Sequence, residues 1–590
     1  MTLGTTRRRA PQVLLVLASV AVAFAAADTY VVVLSLPDMM DSVGLSATEL
    51  QRAAPIVSGF LLGYVAMLPL IGRIADLRGR LPVLVASLVI FSLGSLITAA
   101  AYDLPSLVTG RFLQGVGGGG LVPVTLALVA DIYPVERRGV PLGIVGAVQE
   151  LGSVLGPLYG AVVLAVGTWR DIFWINLAVG LVLAAGIVTL GSRAVEHGRD
   201  HLPRRVPDLI GLTLSALTLA AALLVMRQPA WLVDSIRWGG YFVPFGDATS
   251  YWWSPAGLLA IGLAVAALAW LLLAPRPYVD LRGWWATVRQ ADLVGALLLA
   301  AALGGVILAF ATADPQVQVF SDAGLVYLAS GAVAALGFAV HQRRTADPLI
   351  PRGAFAARPA WGSLVVSFLI GSALIAALVD IPVFARATVY GDSQVKAALV
   401  LVELLVALPV GAVVGGYLTR SVPAAYVTAG GMVLASLGFW RMSTWDDQAL
   451  NHLSSSVALV AAGLGFGLAL APVNAALLAT TDAAVHGVTS AMLVVSRMVG
   501  MLIGISALTT IGLRRFYAAS DKIPDALDVC NGKSICDRYS DLVEGALLAQ
   551  LHAIFLGAAV CALLAAVAAL VLFRGAPTRG QRGPLLGIGS

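Results

Sequence analysis

Four charged side chains stand inside long apolar stretches of this sequence. Asp28 belongs to the first stretch, Arg111 opens another, and Glu150 and Arg497 lie within two more. An ionised group at membrane depth is costly unless it is paired, and such groups usually mark a path for ions or substrate. We therefore expect Asp28, Glu150 and Arg497 to pair across the gap between two groups of helices, and we expect protonation of one of the two carboxylates to release Arg497.

Simpler explanations stay open at this level. Asp28, Glu150 and Arg497 could form a structural ion pair that only holds the helices together. Arg111 is either a fixed positive charge inside its span or a side chain whose aliphatic part lets the guanidinium reach the membrane surface.

The sequence around Glu150 is rich in glycine and reads GIVGAVQELGSVLGPLYG from Gly143 to Gly160. Small residues on a helix face let a second helix approach closely, and a Gly-Pro pair bends a helix. The residues predicted to do this are Gly143, Gly152, Gly156, Pro157 and Gly160. A closely packed, bendable helix with one carboxylate is typical of a transport element.

A polar loop with the sequence GRIADLRGR occupies positions 72–80 between two apolar stretches. Asp76 is expected at the start of a helix, where the helix dipole favours an anion. The arginines can pair with Asp76 or with a facing part of the protein. The alternative is an ordinary positively charged loop with a glycine turn. The candidate residues are Gly72, Arg73, Asp76, Arg78, Gly79 and Arg80.

The composition is that of an integral membrane protein. Of 590 residues, 59% are hydrophobic and 12% are charged, and the mean hydropathy is +0.90; about 25% of residues are charged in soluble proteins. About sixteen apolar stretches approach the roughly 20 residues that a helix needs to cross a bilayer. They lie at about 12–36, 53–71, 82–100, 106–129, 141–166, 172–190, 208–226, 255–274, 292–311, 323–340, 361–384, 395–418, 425–442, 454–478, 485–513 and 546–573.

The distribution of charge predicts the orientation. An even number of spans places both termini on one side, and most of the 37 basic residues fall in loops on that side, so it is assigned to the cytoplasm. The net charge of +5 is spread over these short loops, which argues against nucleic-acid binding. No catalytic constellation or metal-spaced His/Cys set occurs, so we expect no enzyme, no metal and no cofactor beyond a proton gradient.

The middle of the chain contains an internal repeat. PDLIGLTLSA begins at Pro207 and ADLVGALLLA at Ala291, and the exits of the two units read VDLRGW from Val279 and IPRGAF from Ile350. These ordered matches favour duplication of a helical hairpin over chance in a Leu/Ala-rich background. The predicted units are an N-terminal six-helix half (1–190), an inserted hairpin (191–290), a linker hairpin (291–358), a C-terminal six-helix half (359–573) and a cytoplasmic tail (574–590).

The 72–80 loop resembles the hallmark loop of the major facilitator superfamily, in which this loop joins two six-helix halves. The stretch Arg111–Gly115 resembles the start of the fourth span in this family, and Gly143–Gly160 resembles the antiporter motif of its exporter branch. The stretch Asp28–Pro37 resembles the first-span motif of the 14-span drug:proton antiporters. The sequence departs from those motifs at Val33, where Asn is usual, and at Ala161, where Gly is common. The resemblance implies an all-α membrane protein with the major facilitator fold and extra linker helices.

A narrower resemblance is to the mycobacterial triacylglyceride exporters, which work with a periplasmic lipoprotein. It is carried by residues 27–33, 149–153, 170–176 and 496–501. In those exporters the residues that match Asp28, Glu150 and Arg497 form a buried charged cluster, and the last two helices extend above the membrane. The inserted hairpin is a departure from them.

This resemblance implies the partners and the location of the protein. The partners would be a lipid or another lipophilic small molecule, protons, and a periplasmic lipoprotein, around a monomeric transporter. The location would be the bacterial inner membrane, with both termini cytoplasmic.

The polar segment from about 514 to 544 is expected on the outside, and it contains Cys530 and Cys536. A disulfide persists outside the cytoplasm, and a bond between these cysteines would close a small loop. Two unpaired thiols are the alternative.

Three functions fit these features. The first is a proton-coupled secondary transporter that exports lipids or other lipophilic compounds by alternating access. The second is a multidrug:proton antiporter, which would give drug resistance by efflux. The third is a non-transporting membrane scaffold on the same fold, which the intact 72–80 loop and the intramembrane charges disfavour. A cavity that opens sideways to the bilayer would favour lipids over drugs.

Overall fold

The computed structural model describes residues 10–45, 50–195, 208–246, 250–311, 323–390, 394–524, 526–530 and 536–578. These residues are mostly helical and contain no strand. Helices of ten residues or more are α1 (Ala10–Ser42), α2 (Leu50–Arg78), α3 (Arg80–Ala100), α4 (Leu104–Ile132), α5 (Gly139–Val166), α6 (Trp169–Val195), α7 (Leu209–Arg227), α8 (Pro255–Leu273), α9 (Leu281–Gln290), α10 (Leu293–Ala311), α11 (Gly324–Arg344), α12 (Arg358–Ala387), α13 (Gln394–Leu418), α14 (Ala424–Met442), α15 (Leu453–Ala479), α16 (His486–Ser520) and α17 (Asp537–Leu572).

The predicted all-helical membrane fold is confirmed. In the described part of the chain, twelve helices are long and apolar enough to cross a bilayer, and the bent pair α9–α10 adds a thirteenth candidate. Helices α1, α5 and α14 are not among these, although each coincides with an apolar stretch of the sequence. The addition to the sequence-based scheme is α9, a short helix with basic and aromatic residues between two spans.

Local signals explain where several helices begin. Asp103 and Ser106 form a reciprocal capping box at the start of α4, and the Asp208 and Ser254 side chains accept backbone N–H groups at the starts of α7 and α8. Such caps satisfy donors that a helix leaves unpaired in its first turn. Gly79 has a φ of +97°, a left-handed backbone that favours glycine, and it separates α2 from α3.

Helices α1–α6 pack around one another, and α12–α17 form a second group. The two groups touch where α2 and α4 meet α16, and where α5 meets α13 and α15. The face at which α1 begins and α17 ends is called here the terminal face, and the opposite face is the outer face. The terminal face is the one that the sequence predicts to be cytoplasmic. The predicted domain boundaries stay predictions.

The two hairpins sit differently. Helices α7 and α8 pack on each other and reach the N-terminal half at α3, where the Tyr102 ring lies 4.7 Å from that of Tyr251. Helix α10 instead packs on α2 and α16, one from each half, with α11 behind it. The linker hairpin therefore covers the seam between α2 and α16.

Equivalent aspartates organise both hairpins. Asp208 accepts the Gly211 N–H at the start of α7, Trp270 Nε1 from α8 and the backbone N–H of Tyr278.

Asp292 repeats this arrangement in the second hairpin. It accepts the Gly295 N–H, bonds His341 Nε2 of α11 at 2.8 Å and accepts the Leu349 N–H at 3.0 Å. The same three kinds of contact occur in the same order, which supports duplication of one hairpin.

Replacing Asp292 by Ala should destabilise the linker hairpin. It removes the acceptor of the Gly295 and Leu349 N–H groups and of His341, and each bond to a charged group contributes about 1.5–3 kcal/mol. We expect a lower midpoint of thermal unfolding in detergent for the purified protein. Asp347→Ala is the matched control, because Asp347 is exposed on the same linker. Equal midpoints for the two variants would contradict this role of Asp292.

Candidate transport site

The charge of Asp28 is neutralised inside the N-terminal half. Asp28 lies in α1 and Arg111 in α4, and Arg111 Nη1 donates to Asp28 Oδ2 at 2.7 Å. The side chains of Asp28 and Arg111 are 0% and 1% exposed. An ion pair without water is tolerated only when its geometry is good and the remaining lone pairs are hydrogen-bonded.

Neutral polar side chains supply those remaining bonds. Gln114 Nε2 donates to Asp28 Oδ1 at 2.9 Å and to Ser95 Oγ at 3.0 Å, while its Oε1 accepts from Arg111 Nη1 at 2.7 Å. Asn176 Nδ2 of α6 also donates to Asp28 Oδ1. The carboxylate thereby connects α1, α3, α4 and α6.

Two buried aromatic rings enclose the guanidinium. Arg111 Cζ lies 4.3 Å from the ring centroid of Phe60 in α2 and 5.7 Å from that of Phe173 in α6. Desolvated cation–π contacts contribute about 2 kcal/mol. Arg111 therefore stays in the interior instead of extending to the membrane surface, the alternative that the sequence left open.

The predicted pairing of Asp28 with Arg497 is wrong. The partner of Asp28 is Arg111, from its own half, and Arg497 belongs to α16 of the other half. The physical reason is proximity: α4 packs against α1 within one bundle, so the shortest way to neutralise a buried carboxylate does not cross the gap between halves.

Sequence reasoning missed Gln114, Asn176 and Ser95 as partners of this pair. Gln114 follows Arg111 by one helical turn, and Asn176 is a polar residue inside an apolar stretch. Uncharged polar residues in predicted spans were the available signal, since a buried donor needs an acceptor.

Arg497 and Glu150 belong to the region between the halves. Arg497 lines a small cavity between the halves together with Gln149 of α5 and Asn474 of α15, among apolar side chains such as Ile370. The backbone of Glu150 is part of α5, directly after Gln149, but its side chain lies outside the described residues. The Oδ1 atom of Asn474 is buried and accepts no hydrogen bond from the described residues.

The glycines around Glu150 have two different neighbours. A Cβ on Gly152 or Gly156 would lie 2.1 or 2.3 Å from the carbonyl oxygens of Ala23 and Ala27 in α1. Gly160 faces Val31, one turn further along α1, whereas Gly143 faces the Ala412 carbonyl of α13 in the other half. The motif therefore joins α5 to α1 along most of its length and to α13 at the terminal end. The Pro157 side chain lies outside the described residues.

The 72–80 loop joins the halves through Asp76. Its Oδ1 accepts the Gly487 N–H at 2.8 Å and its Oδ2 accepts the Val488 N–H at 2.9 Å. Both N–H groups belong to the first turn of α16, so an N-half carboxylate caps a C-half helix, where the helix dipole favours a negative charge. The sequence predicted that Asp76 lies at the start of a helix. The helix that Asp76 caps is α16, which belongs to the other half.

The remaining loop residues divide their contacts. Arg80 donates to Asp76 and, through Nη2, to the Ala483 carbonyl at 3.2 Å. Gly72 permits close approach, since its Cβ would lie 2.6 Å from the Gly487 carbonyl oxygen. Arg78 contacts α9 instead of the C-terminal half. Nε of Arg73 is buried without a hydrogen-bond partner in the described residues.

A second contact closes the terminal face between α4–α5 and the other half. Arg138 Nη2 and Nη1 donate to the carbonyls of Ala130 in α4 and Leu478 in α15 at 2.8 and 3.4 Å. Beside it, a Cβ on Gly139 would lie 2.3 Å from the Gly416 carbonyl of α13. The terminal ends of the halves are therefore in tight contact on both sides of the cavity.

One further predicted feature, the disulfide, has a structural outcome. Cys530 and Cys536 are disulfide-bonded between the outer ends of α16 and α17. Among the described residues, no group of three or more His, Cys, Asp or Glu is placed to hold a metal ion.

The sequence matches the family model of the Major Facilitator Superfamily over residues 18–505. The chain belongs to this family. That membership agrees with the two six-helix groups, with the contact that the 72–80 loop makes from one group to the other, and with transport across a membrane.

Two relatives of the chain have names that describe transporters. The chain is 34% identical to the triacylglyceride transporter of Mycobacteroides abscessus, over 86% of this chain and 83% of that protein. It is 32% identical to the triacylglyceride transporter of Mycolicibacterium smegmatis, over 94% of this chain and 86% of that protein.

Solved structures support the fold. The human organic anion transporter MFSD10 superposes with a TM-score of 0.53 at 13% identity and covers 95% of this chain and 99% of its own. The proton:xylose symporter XylE gives a TM-score of 0.51 at 13% identity and covers 95% of both chains. Such likeness concerns the fold alone.

Gly156→Ala should weaken the contact between α1 and α5. The added methyl would lie 2.3 Å from the Ala27 carbonyl oxygen, so the helices must separate. We expect a lower unfolding midpoint, by a few degrees or more, measured on purified protein. Gly430→Ala is the matched control, because Gly430 is also helical but has nothing within 4 Å of the added atom. A loss of stability that is no larger for Gly156→Ala would exclude this packing.

Asp76→Ala should open the terminal face. It leaves the Gly487 and Val488 N–H groups without their acceptor, and each bond to a carboxylate contributes about 1.5–3 kcal/mol. We expect Asn474→Cys in the cavity to react faster with an impermeant thiol reagent added on that face. Asp131→Ala should have little effect, since Asp131 makes only a half-exposed contact with Arg80 at 3.4 Å. Unchanged labelling in the Asp76 variant would count against the capping role.

Proposed function

We propose that this transporter exports lipids or other lipophilic compounds, driven by protons, by alternating access. The observation that carries the proposal is the cavity between the halves, with apolar walls and a few polar groups at one level. The names of its relatives, triacylglyceride transporters at 34% identity, point to the same class of substrate. The chemistry of this lining suits a molecule with long apolar chains and a small polar centre, and room for such a molecule would open as the halves move apart.

The polar groups of the cavity suit an ester-linked head. The guanidinium of Arg497 donates hydrogen bonds, and the free Oδ1 of Asn474 accepts one. The carbonyl of an ester would accept a hydrogen bond from the Arg497 guanidinium, and a hydroxyl would donate one to Asn474 Oδ1. The acyl chains would contact side chains such as Ile370 and Val473. Few directed contacts and much apolar surface are usual in sites for small lipophilic ligands.

The seam between α5 and α13 would admit the chains from the bilayer. The α10–α11 hairpin covers the other seam, between α2 and α16. The close approaches of α5 to α13 are at Gly139 and Gly143, near the terminal face, and Val162 and Val166 towards the outer end of α5 are 60% and 88% exposed. This route favours lipids over soluble drugs as substrates.

Alternating access would follow from release of the terminal face. Asp76, Arg80 and Arg138 make the polar contacts that hold the two halves together there. The arrangement described here is the one with that face closed, and a second arrangement requires these contacts to break. Each is a bond between partners from opposite halves, so breaking them leaves both helix bundles intact.

Proton coupling would depend on Glu150 and Arg497 rather than on Asp28. Asp28 and Arg111 lie in the same half, so rocking of the halves does not change their distance. Glu150 lies on α5 beside the cavity residue Gln149, and Arg497 lines the same cavity from α16. Protonation of Glu150 would remove a negative charge from the gap and change the attraction between the halves. The structural role of Asp28 is the positioning of α1.

The test is lipid export from proteoliposomes under an imposed pH gradient. We expect Glu150→Gln to abolish the gradient-driven component while the unfolding midpoint stays near that of the wild type. Glu136→Gln, an exposed carboxylate on the terminal face, should behave as the wild type. Undiminished gradient-driven export by Glu150→Gln would overturn the coupling, and efflux of cationic drugs without lipid export would favour a multidrug antiporter.

The Asp28→Asn variant distinguishes the structural role of Asp28 from the proton-coupling role of Glu150. It leaves Arg111 as a buried charge without its counter-ion, and breaking a buried pair costs about 3–5 kcal/mol. We expect this variant to lose stability, whereas Glu150→Gln loses only coupling. A periplasmic lipoprotein partner, a monomeric state and cytoplasmic termini remain predictions from the sequence.

A further inference from the structure

Helix α9 is an addition to the two six-helix halves. It has the sequence LRGWWATVRQ over Leu281–Gln290, and a bend of 71° separates it from α10. Helix α10 packs along α2 as part of the bundle. The bend therefore lays α9 along the terminal face, and its end lies at the level where α10 enters the membrane at Leu293.

One face of α9 holds Arg78 of the 72–80 loop. Arg78 Cζ lies 4.4 Å from the ring centroid of Trp284, and its Nη1 donates to Thr287 Oγ1 at 3.2 Å. Its Nη2 lies 3.6 Å from Asp280 Oδ2, just before the helix. A stacking contact, a hydrogen bond and an ion pair together fix the end of α2 to α9.

The other face of α9 is basic, aromatic and exposed. Trp285 is 54% exposed, and Arg289 Cζ lies 5.8 Å from its ring centroid. Arg276 and Arg282 are exposed at the same end of the hairpin. Tryptophan at headgroup level beside arginines is the signature of a helix that binds an anionic lipid surface.

We propose that α9 docks on the anionic headgroups of the leaflet at the terminal face and thereby holds the 72–80 loop closed through Arg78. The occupant is the membrane, because α9 ends at the membrane boundary and the stretch 276–290 has three exposed arginines, Arg276, Arg282 and Arg289, against one acidic residue, Asp280. This inference goes beyond the proposed transport function. It concerns lipid as a ligand of the terminal face, whatever compound is carried.

The coupling follows from the order of contacts along the loop. Arg78 is fixed to α9, and Asp76, half a turn earlier on α2, caps α16 of the other half. A docked α9 restricts the end of α2, so the Gly487 and Val488 N–H groups keep their acceptor for longer. Detachment of α9 leaves the end of α2 freer to leave α16.

Docking is measured with a fluorophore on α9. An environment-sensitive probe on Ala286→Cys, in a Cys561→Ala background, is followed in full-length protein in phosphatidylcholine nanodiscs with increasing phosphatidylglycerol. We expect a blue shift and quenching by lipids that are spin-labelled at the headgroup. Each arginine near an anionic surface strengthens binding about fivefold. Arg276→Gln with Arg289→Gln should therefore weaken docking by about 25-fold, so that correspondingly more phosphatidylglycerol is needed for the same response.

The matched control is Arg420→Gln. Arg420 is an exposed arginine beside an aromatic ring, that of Tyr417, at the end of α13 in the C-terminal half. It should leave the probe response unchanged. A probe signal that ignores phosphatidylglycerol, or a double variant that behaves as the wild type, would overturn docking and leave α9 facing solvent or a protein.

Coupling is measured by hydrogen exchange of the Gly487 and Val488 amides in the same nanodiscs. We expect phosphatidylglycerol to slow their exchange in the wild type. Trp284→Ala removes the ring under Arg78 but leaves Asp76 and Arg80 in place, so it should keep the probe response and lose the effect on exchange. Equal exchange with and without phosphatidylglycerol in the wild type would refute the link to the loop. Neither readout involves export, so failure of the transport proposal would leave both outcomes interpretable.

Discussion

A carboxylate in the apolar layer requires a positive partner and enough donors for its lone pairs, and Asp28 obtains them from α4 and α6. Arg111, Gln114 and Asn176 converge on it, and Ser95 extends the network to α3. Because an unpaired charge is so costly there, these helices have one way to pack together. The charge of Asp28 is thus balanced within the N-terminal half.

Contacts within the N-terminal half differ from those between the halves. Glycines fit α5 against α1 at Ala23 and Ala27 with no room for a methyl group, so these two helices pack tightly within one half. Polar contacts between the halves are concentrated instead at the terminal face, where Asp76 caps α16. A helix cap is directional but easily replaced by water, so it would suit the separation and return of the halves that the proposed alternating access requires.

The linker changes the surroundings of this joint. Its duplicated hairpins are organised by Asp208 and Asp292, and the second places α10 across the α2–α16 seam. The same insertion brings α9 to Arg78. A segment that a six-plus-six transporter does not need therefore covers one lateral route and contacts the loop that closes the terminal face.

Much was determined by the sequence itself: the helical membrane class, the positions of the spans, the family and the internal repeat, because apolar length, glycine spacing and local caps act over short distances. The 72–80 loop was also recognisable as a contact between halves. The tertiary structure alone decided that Asp28 pairs with Arg111, that Asp76 caps a helix of the other half, and that Arg78 binds α9. Pairing of buried charges depends on which helices are neighbours, and hydrophobicity sets the depth of a helix in the membrane but not its neighbours.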